Sequence, residues 1–455
     1  MLIPLLSLAS PRKLSVAALA VLPLAACSST PQATLALSVG GEADAFTRAP
    51  APTTLVVDAL DVTSGAVSKN LARAPLPASN IDLGDQSSSN AVRIRANGVD
   101  ANGLVLVTGT SVALQLGALQ DSSLPIFVQR TSEFARMPAP LSVGREAPVL
   151  ANVTGRFVFV AGGSSPANDK ASQLYDLGTL AASNGPTAMP RTPRSMAVYD
   201  TAVLLIDDAG ASSFSLSNAA LAPVNVTPPD GGTFAEVAGG ITVRAPDATL
   251  YVVGATRASG PTVRILKVNK DGVASFASLT TARRGAAAVW VEGRGLVVAG
   301  GSDTGPGVEV LAPGGTSATP LGYASDATTG AGAAALNATH VLLGGGVDAA
   351  GQPAATRSID LACPTSACTA TTFDASKVPM ALLTTQGFDL DPDSALFVGD
   401  DAAGLSHAFR VSTANGGSAS EIPFKIPRRG ARGIRVNPPA ITFVGGDPTV
   451  ESFTP

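Results

Sequence analysis

The sequence predicts an all-β chain whose larger part is a radial array of seven small sheets, and three observations carry that prediction. A short run of aliphatic and β-branched residues, ending in glycines or an acidic turn, recurs seven times between Phe157 and Asp447. The copies are VFVAGGS (Val158 to Ser164), LLIDDAG (Leu204 to Gly210), YVVGATR (Tyr251 to Arg257), LVVAGGSD (Leu296 to Asp303), VLLGGGVD (Val341 to Asp348), LFVGDD (Leu396 to Asp401) and TFVGGD (Thr442 to Asp447). Marked by Gly162, Asp207, Gly254, Gly300, Gly344, Gly399 and Gly445, they stand 44 to 47 residues apart, with one longer interval of 55. A steady period of this length signals small units that bury their apolar faces only against their neighbours. The second observation is that each marked strand is apolar at nearly every position, as expected where both faces are covered. The third is that the strand before it is rich in small residues, such as Gly285 to Ala288 and Gly332 to Ala335. Strands that converge around a narrow central channel favour small side chains, so these read as the innermost strands of a β-propeller. A β-solenoid is the alternative, but its repeats are usually shorter.

The unit is clearest from Thr280 to Gly315. A basic pair, Arg283 and Arg284, precedes the small-residue strand, and a tight turn at Glu292 and Gly293 follows it. The next strand ends at Gly300 and Gly301, and Val308 to Leu311 forms a third. This pattern resembles the kelch repeat, known from β-propellers and from the propeller domain of galactose oxidase. The match is good around Gly162, Gly300 and Gly445 and degenerate in the other copies. The tryptophan that kelch repeats often carry on the outer strand is missing; Phe134, Phe276 and Phe373 stand in for it. The resemblance implies a seven-bladed kelch-type β-propeller over residues 131–455.

Ring closure follows from the end of the chain. After Gly446 only VESF (Val450 to Phe453) remains as a strand, so the last unit lacks a fourth. SEFARMP (Ser132 to Pro138) has the look of an outer strand, and pairing it with the C-terminus removes the exposed edges that invite aggregation.

Before Ser132 the period breaks down. Strand-like runs lie at Thr53 to Val62, Ala91 to Ala96, Gly103 to Gly109 and Ser111 to Gly117, with partial polar–apolar alternation from Val92 to Ala96. Such runs over residues 37–130 suit a small β-sandwich-like domain. A degenerate extra blade is the alternative, since Gly109 precedes Gly162 by 53 residues.

Residues 1–27 read as an export signal. Arg12 and Lys13 precede an apolar stretch from Leu14 to Leu24 that is too short to span a bilayer. The following Leu24-Ala25-Ala26-Cys27 resembles the bacterial lipobox, which implies that Cys27 carries fatty acyl chains such as palmitate and begins the mature protein. Ser28 replaces the aspartate that often retains lipoproteins in the inner membrane, so the resemblance implies an outer-membrane location. Residues 28–36 then form a tether.

Charged residues make up 14% of the chain and the net charge is −4, which leaves no basic surplus for nucleic acid. In an oxidising compartment Cys363 and Cys368, with four residues between them, are expected to form a local disulfide.

The two histidines, His340 and His407, read as a turn residue and a residue of a third strand, and two are too few for a multi-histidine metal site. No metal or other cofactor is expected. Asp389, Asp391 and Asp393 alternate as in calcium loops, but Ser394 stands where glycine is required and Asp400 where glutamate is, so they read as ordinary turn residues. Arg145, Arg283 and Arg428 each precede a marker glycine by 17 residues, and Arg284 and Arg429 double two of them. Equal offsets imply equivalent places at the entrance to the innermost strand. Two readings stay open: the arginines pair with acidic loop residues such as Asp303 and Asp447, or they line a basic pocket at the channel mouth. The function expected is a lipid-anchored binding or scaffolding module for a protein or glycan. The alternative is a carbohydrate-active enzyme, mutarotase-like or lyase-like, working on the propeller face.

Overall fold

Each of the seven apolar runs is the second strand of a four-stranded antiparallel sheet in the computed structural model. The structure describes residues 34–78, 81–83, 90–119, 123–165, 170–186, 188–199, 202–215, 217–218, 220–224, 233–254, 260–363 and 367–455. The signal, Cys27 and most of the tether lie outside these residues. Residues 34–36, expected in the tether, instead begin a strand, Thr34–Ser38, that pairs in parallel with Ser123–Phe127.

The innermost strands, in chain order, are Val149–Val153, Ser195–Tyr199, Ile241–Arg244, Ala287–Val291, Thr329–Ala335, Thr384–Asp391 and Arg432–Ile434. Small residues there have a steric cause. A Cβ on Gly332 would come within 2.9 Å of the Gly387 backbone nitrogen in the next sheet, and a Cβ on Gly387 within 2.5 Å of the Ala333 carbonyl. The turn after the second strand needs left-handed backbone, as at Gly300 (φ 73°) and Gly301 (φ 77°), which glycine alone adopts without strain.

The apolar core is divided among the gaps between sheets. Val153 and Phe159 of the first sheet pack on Val203 and Phe214 of the second, and Tyr251 and Ile265 of the third on Leu296 and Val298 of the fourth. The series ends with Phe134, Phe443 and Phe453 of the seventh sheet against Leu396 and Val398 of the sixth, and Val160 and Tyr175 of the first against Val444 and Val450 of the seventh. This is a β-propeller arrangement, in which no sheet has a core of its own.

The seventh sheet is completed from the other end of the chain. Glu133–Arg136 pairs antiparallel with Asp447–Thr454, placing Phe134 opposite Phe453 and Ala135 opposite Ser452. Phe134 and Phe276 sit buried on outer strands, while Phe373 follows the short outer strand Thr371–Thr372 and is half-buried. Cys363 and Cys368 form a disulfide.

Residues 34–130 form two sheets around one further core. The smaller joins Ile81–Asp82, Thr34–Ser38 and Ser123–Phe127; the larger runs Val67–Pro75, Thr54–Asp61, Ala91–Val99, Val105–Thr110 and Gln129–Arg130. Leu35 and Ile126 of one face Val57, Ile94 and Val107 of the other across the shared core. The run from Ser111 to Gly117 is strand only at Leu114–Gln115 and then turns into a 3-10 helix, Leu116–Leu119.

This region docks on the closing strand through Glu133. Arg48 donates to both carboxylate oxygens of Glu133 at 3.0 and 2.8 Å, and Lys425 of the propeller reaches the same carboxylate at 3.3 Å. Burial pushes the Glu133 carboxyl up, but hydrogen bonds from Arg48 and Lys425 outweigh it and hold the group below the ordinary carboxylate range. A depressed folded value means that the contribution to stability is fully present above the unfolded pKa of about 4.3 and is lost as pH falls through the folded one. Glu133→Gln should therefore lower Tm at neutral pH, and the gap to wild type should close on acidification below about pH 4. Thermal melts across pH check this; a gap independent of pH would contradict it.

Candidate functional site

The seven innermost strands enclose a channel of about 800 Å³. Much of its wall is apolar or small, including Leu150, Met196, Val198, Ala286, Ala333 and Phe388. Its charge is one-sided: Arg194, Arg244, Arg432 and Arg435 line it, and among the described residues no aspartate, glutamate, histidine or cysteine does. Three of the four are anchored from outside the lining. Arg194 pairs with Asp208 at 2.6 Å, Arg432 with Asp400 at 2.9 Å and Arg435 with Asp389 at 3.0 Å. A guanidinium carries five N–H donors, so an arginine paired with one carboxylate keeps donors to spare. The lining is thus suited to hold an oxyanion.

The arginines singled out by their spacing are elsewhere. Arg145, Arg283 and Arg428 are each 1% exposed, and Nη1 of each donates to the carbonyl of its marker glycine: Gly162 at 3.2 Å, Gly300 at 2.7 Å and Gly445 at 3.2 Å. The equal offset therefore encodes one repeated internal tie. Arg283 pairs with Glu309 at 2.9 Å and Arg428 with Glu451 at 3.1 Å, with both glutamates fully buried on third strands. The expectation of a basic pocket built from Arg145, Arg283 and Arg428 is corrected, since their heads are occupied inside the sheets. The direct ion-pair partners are not Asp303, which is exposed, or Asp447, whose carboxylate accepts from the Thr449 N–H at 2.8 Å and meets Arg428 only as a nearby charge. Arg284 and Arg429 are exposed on that same face; Arg429 pairs with Glu146 at 3.1 Å and donates to the Ala403 carbonyl at 2.7 Å.

Each buried glutamate also binds the chain entering its sheet. Glu309 accepts from the Thr280 N–H at 2.6 Å and the Thr281 N–H at 3.2 Å, and Glu451 from the Lys425 N–H at 3.0 Å and the Ile426 N–H at 3.1 Å. Gln173 holds the same place in the first sheet, accepting from the Val143 N–H at 3.1 Å. Its neutral amide suits only part of that role. Burial pushes the Arg428 guanidinium down from its ordinary value, against the opposing pull of Glu451.

The remaining candidates resolve into local structure. His340 bonds through Nδ1 to the Thr339 hydroxyl at 2.9 Å, and His407, on the third strand of its sheet, lies with Nδ1 2.8 Å from Glu421. Asp389 pairs with Arg435, while Asp391 accepts from the Asp393 N–H at 2.9 Å and from Arg410 at 3.2 Å, so the alternating aspartates bind their own turn and neighbouring arginines. Among the described residues no cluster of three or more metal-ligating side chains is present.

No protein-family model matches the sequence, and no curated protein does. Among solved structures the chain is similar to a streptogramin B lyase, at 11% identity and TM-score 0.42, over 70% of this chain and 96% of that one. It is also similar to YCF48 bound to D1 peptide, at 10% identity and TM-score 0.45, over 71% and 96% of the two chains. YCF48 from Cyanidioschyzon merolae matches at 10% identity and TM-score 0.47, over 71% and 99%.

Removing one partner of a buried ion pair typically costs about 3–5 kcal/mol, because the other charge is left without compensation. Glu309→Ala should cost that much and Glu309→Gln less, since the one carbonyl oxygen of a glutamine can keep the bonds from Thr280, although its NH2 cannot accept from Thr281 or Arg283. Urea unfolding of the two variants checks the order; equal losses would show that charge alone matters.

Proposed function

We propose that the protein is a binding lipoprotein of the cell envelope. In this reading Cys27 anchors it to the outer membrane, residues 37–130 are a sandwich-like domain, and residues 131–455 are a seven-bladed kelch-type propeller. The channel captures an acidic group of a glycan or protein. The observation that carries the reading is the channel wall, where Arg194 and Arg432 stand at the marker-glycine end and Arg244 and Arg435 at the other, with no lining carboxylate among the described residues. Glycosidic chemistry usually calls on a pair of carboxyl groups flanking the scissile bond. The lining favours holding an anion over that kind of acid–base work.

Two measurements test the proposal. Cys27→Ser should move the protein from the membrane fraction into the soluble one, and retention after a high-salt wash would count against the anchor. On an array of uronate-bearing, sulfated and neutral glycans together with acidic and neutral peptides, the protein should retain acidic members. Arg244→Ala combined with Arg432→Ala should abolish that capture, and retention of neutral members alone would reject the reading.

A further inference from the structure

At the end of the channel opposite Arg284 and Arg429 lies a second chamber of about 390 Å³, walled by the turns that join innermost to second strands. Its arginines come from three separate parts of the chain. Arg244 and Arg435 come from the third and seventh sheets, and Arg93 reaches in from the strand Ala91–Val99 of the N-terminal region. The rest is mixed, with Asn152 and Thr154 of the first sheet beside Val198, Ala248, Val436 and Pro438. Among the described residues no carboxylate lines the chamber.

Arg93 and Arg244 differ from the arginines around them. Arg95, two residues from Arg93 on the same strand, pairs with Asp58 at 3.1 Å, and Arg435 pairs with Asp389. Neither the Arg93 nor the Arg244 side chain makes an ion pair, a hydrogen bond or a ring contact among the described residues. Arg244 is exposed and Arg93 half-buried, and two guanidinium groups that line one concavity without a counter-charge offer forked donors that match the oxygens of an oxyanion. The volume is in the range of small-ligand sites.

We infer that this chamber is a binding site for a small organic or inorganic oxyanion, a carboxylate, sulfate or phosphate group, held by Arg93 and Arg244. The inference rests on the reading of the channel as an anion-binding surface and adds a place and two residues to it. It also gives the N-terminal region a direct part in binding, because Arg93 completes a site otherwise built from the propeller.

Calorimetric titration of the full-length protein at low salt with citrate, galacturonate, sulfate and phosphate tests this and separates the chemical sources of the anion. At least one probe should bind saturably. Arg93→Ala and Arg244→Ala should each weaken that probe at least tenfold, while Arg284→Ala, at the opposite face, leaves it unchanged. Arg93→Lys and Arg244→Lys should give intermediate affinity, because the charge survives and the planar fork does not, and they report on the site should an alanine variant fail to fold. Binding unchanged in both the Arg93 and Arg244 variants, or no saturable binding by any probe, overturns the inference. Capture of acidic glycans on the array without binding of any probe overturns it while leaving the channel reading in place.

Discussion

The antiparallel pairing of Glu133–Arg136 with Asp447–Thr454 is the constraint on which the rest of the structure depends. Apolar surface in this protein is buried between consecutive sheets, so each sheet needs a neighbour on both sides. Pairing the two ends of the propeller chain supplies the last sheet with its fourth strand, and the last gap is filled by Val160 and Tyr175 against Val444 and Val450. Left open, the first and last sheets would expose apolar faces, and the seventh an unpaired edge. The same strand also carries Glu133, through which the N-terminal region is held, so closure and docking share one element.

Within each well-formed unit a second constraint operates at smaller scale. The buried arginines at 145, 283 and 428 bind the carbonyl at the end of the second strand, and the buried Glu309 and Glu451 bind both an arginine and the chain that enters the sheet. One charge cluster thus ties the first three strands of a sheet at a single corner. The channel arginines work differently: Arg194, Arg432 and Arg435 pair with carboxylates outside the lining and Arg244 with none among the described residues, so the lining itself carries only positive charge. Similar residues therefore do structural work in one place and present a charged surface in another, and only burial and partner geometry separate the two.

Much of this was legible in the sequence. The glycine markers could be read because a tight turn with positive φ, as at Gly300 and Gly301, admits few other residues. Closure could be read because the last unit is visibly one strand short. The partners of the buried arginines could not. Glu309 follows its marker glycine by nine residues and Glu451 by six, because the loop after the second strand varies in length, so no fixed spacing gives them away. A lone glutamate inside an apolar third strand, as in VEVL and VESF, was the available signal. Arg93 and Arg244 were hidden because a chamber made from distant segments has no local pattern. Val67–Pro75 was missed since it is a mostly exposed, polar edge strand without apolar alternation.

Ring closure is most directly tested by a cross-link across the closing pair. Ala135 and Ser452 stand opposite each other in the antiparallel register and are both buried. Directly opposed residues in such a pair lie about 4.5–5.5 Å apart, within the span of a disulfide. The account predicts that Ala135→Cys combined with Ser452→Cys forms an intramolecular disulfide in high yield, seen by mass spectrometry of non-reduced peptides as a link between the segments containing residues 135 and 452. Two free thiols after mild oxidation, or links only between different molecules, would contradict it.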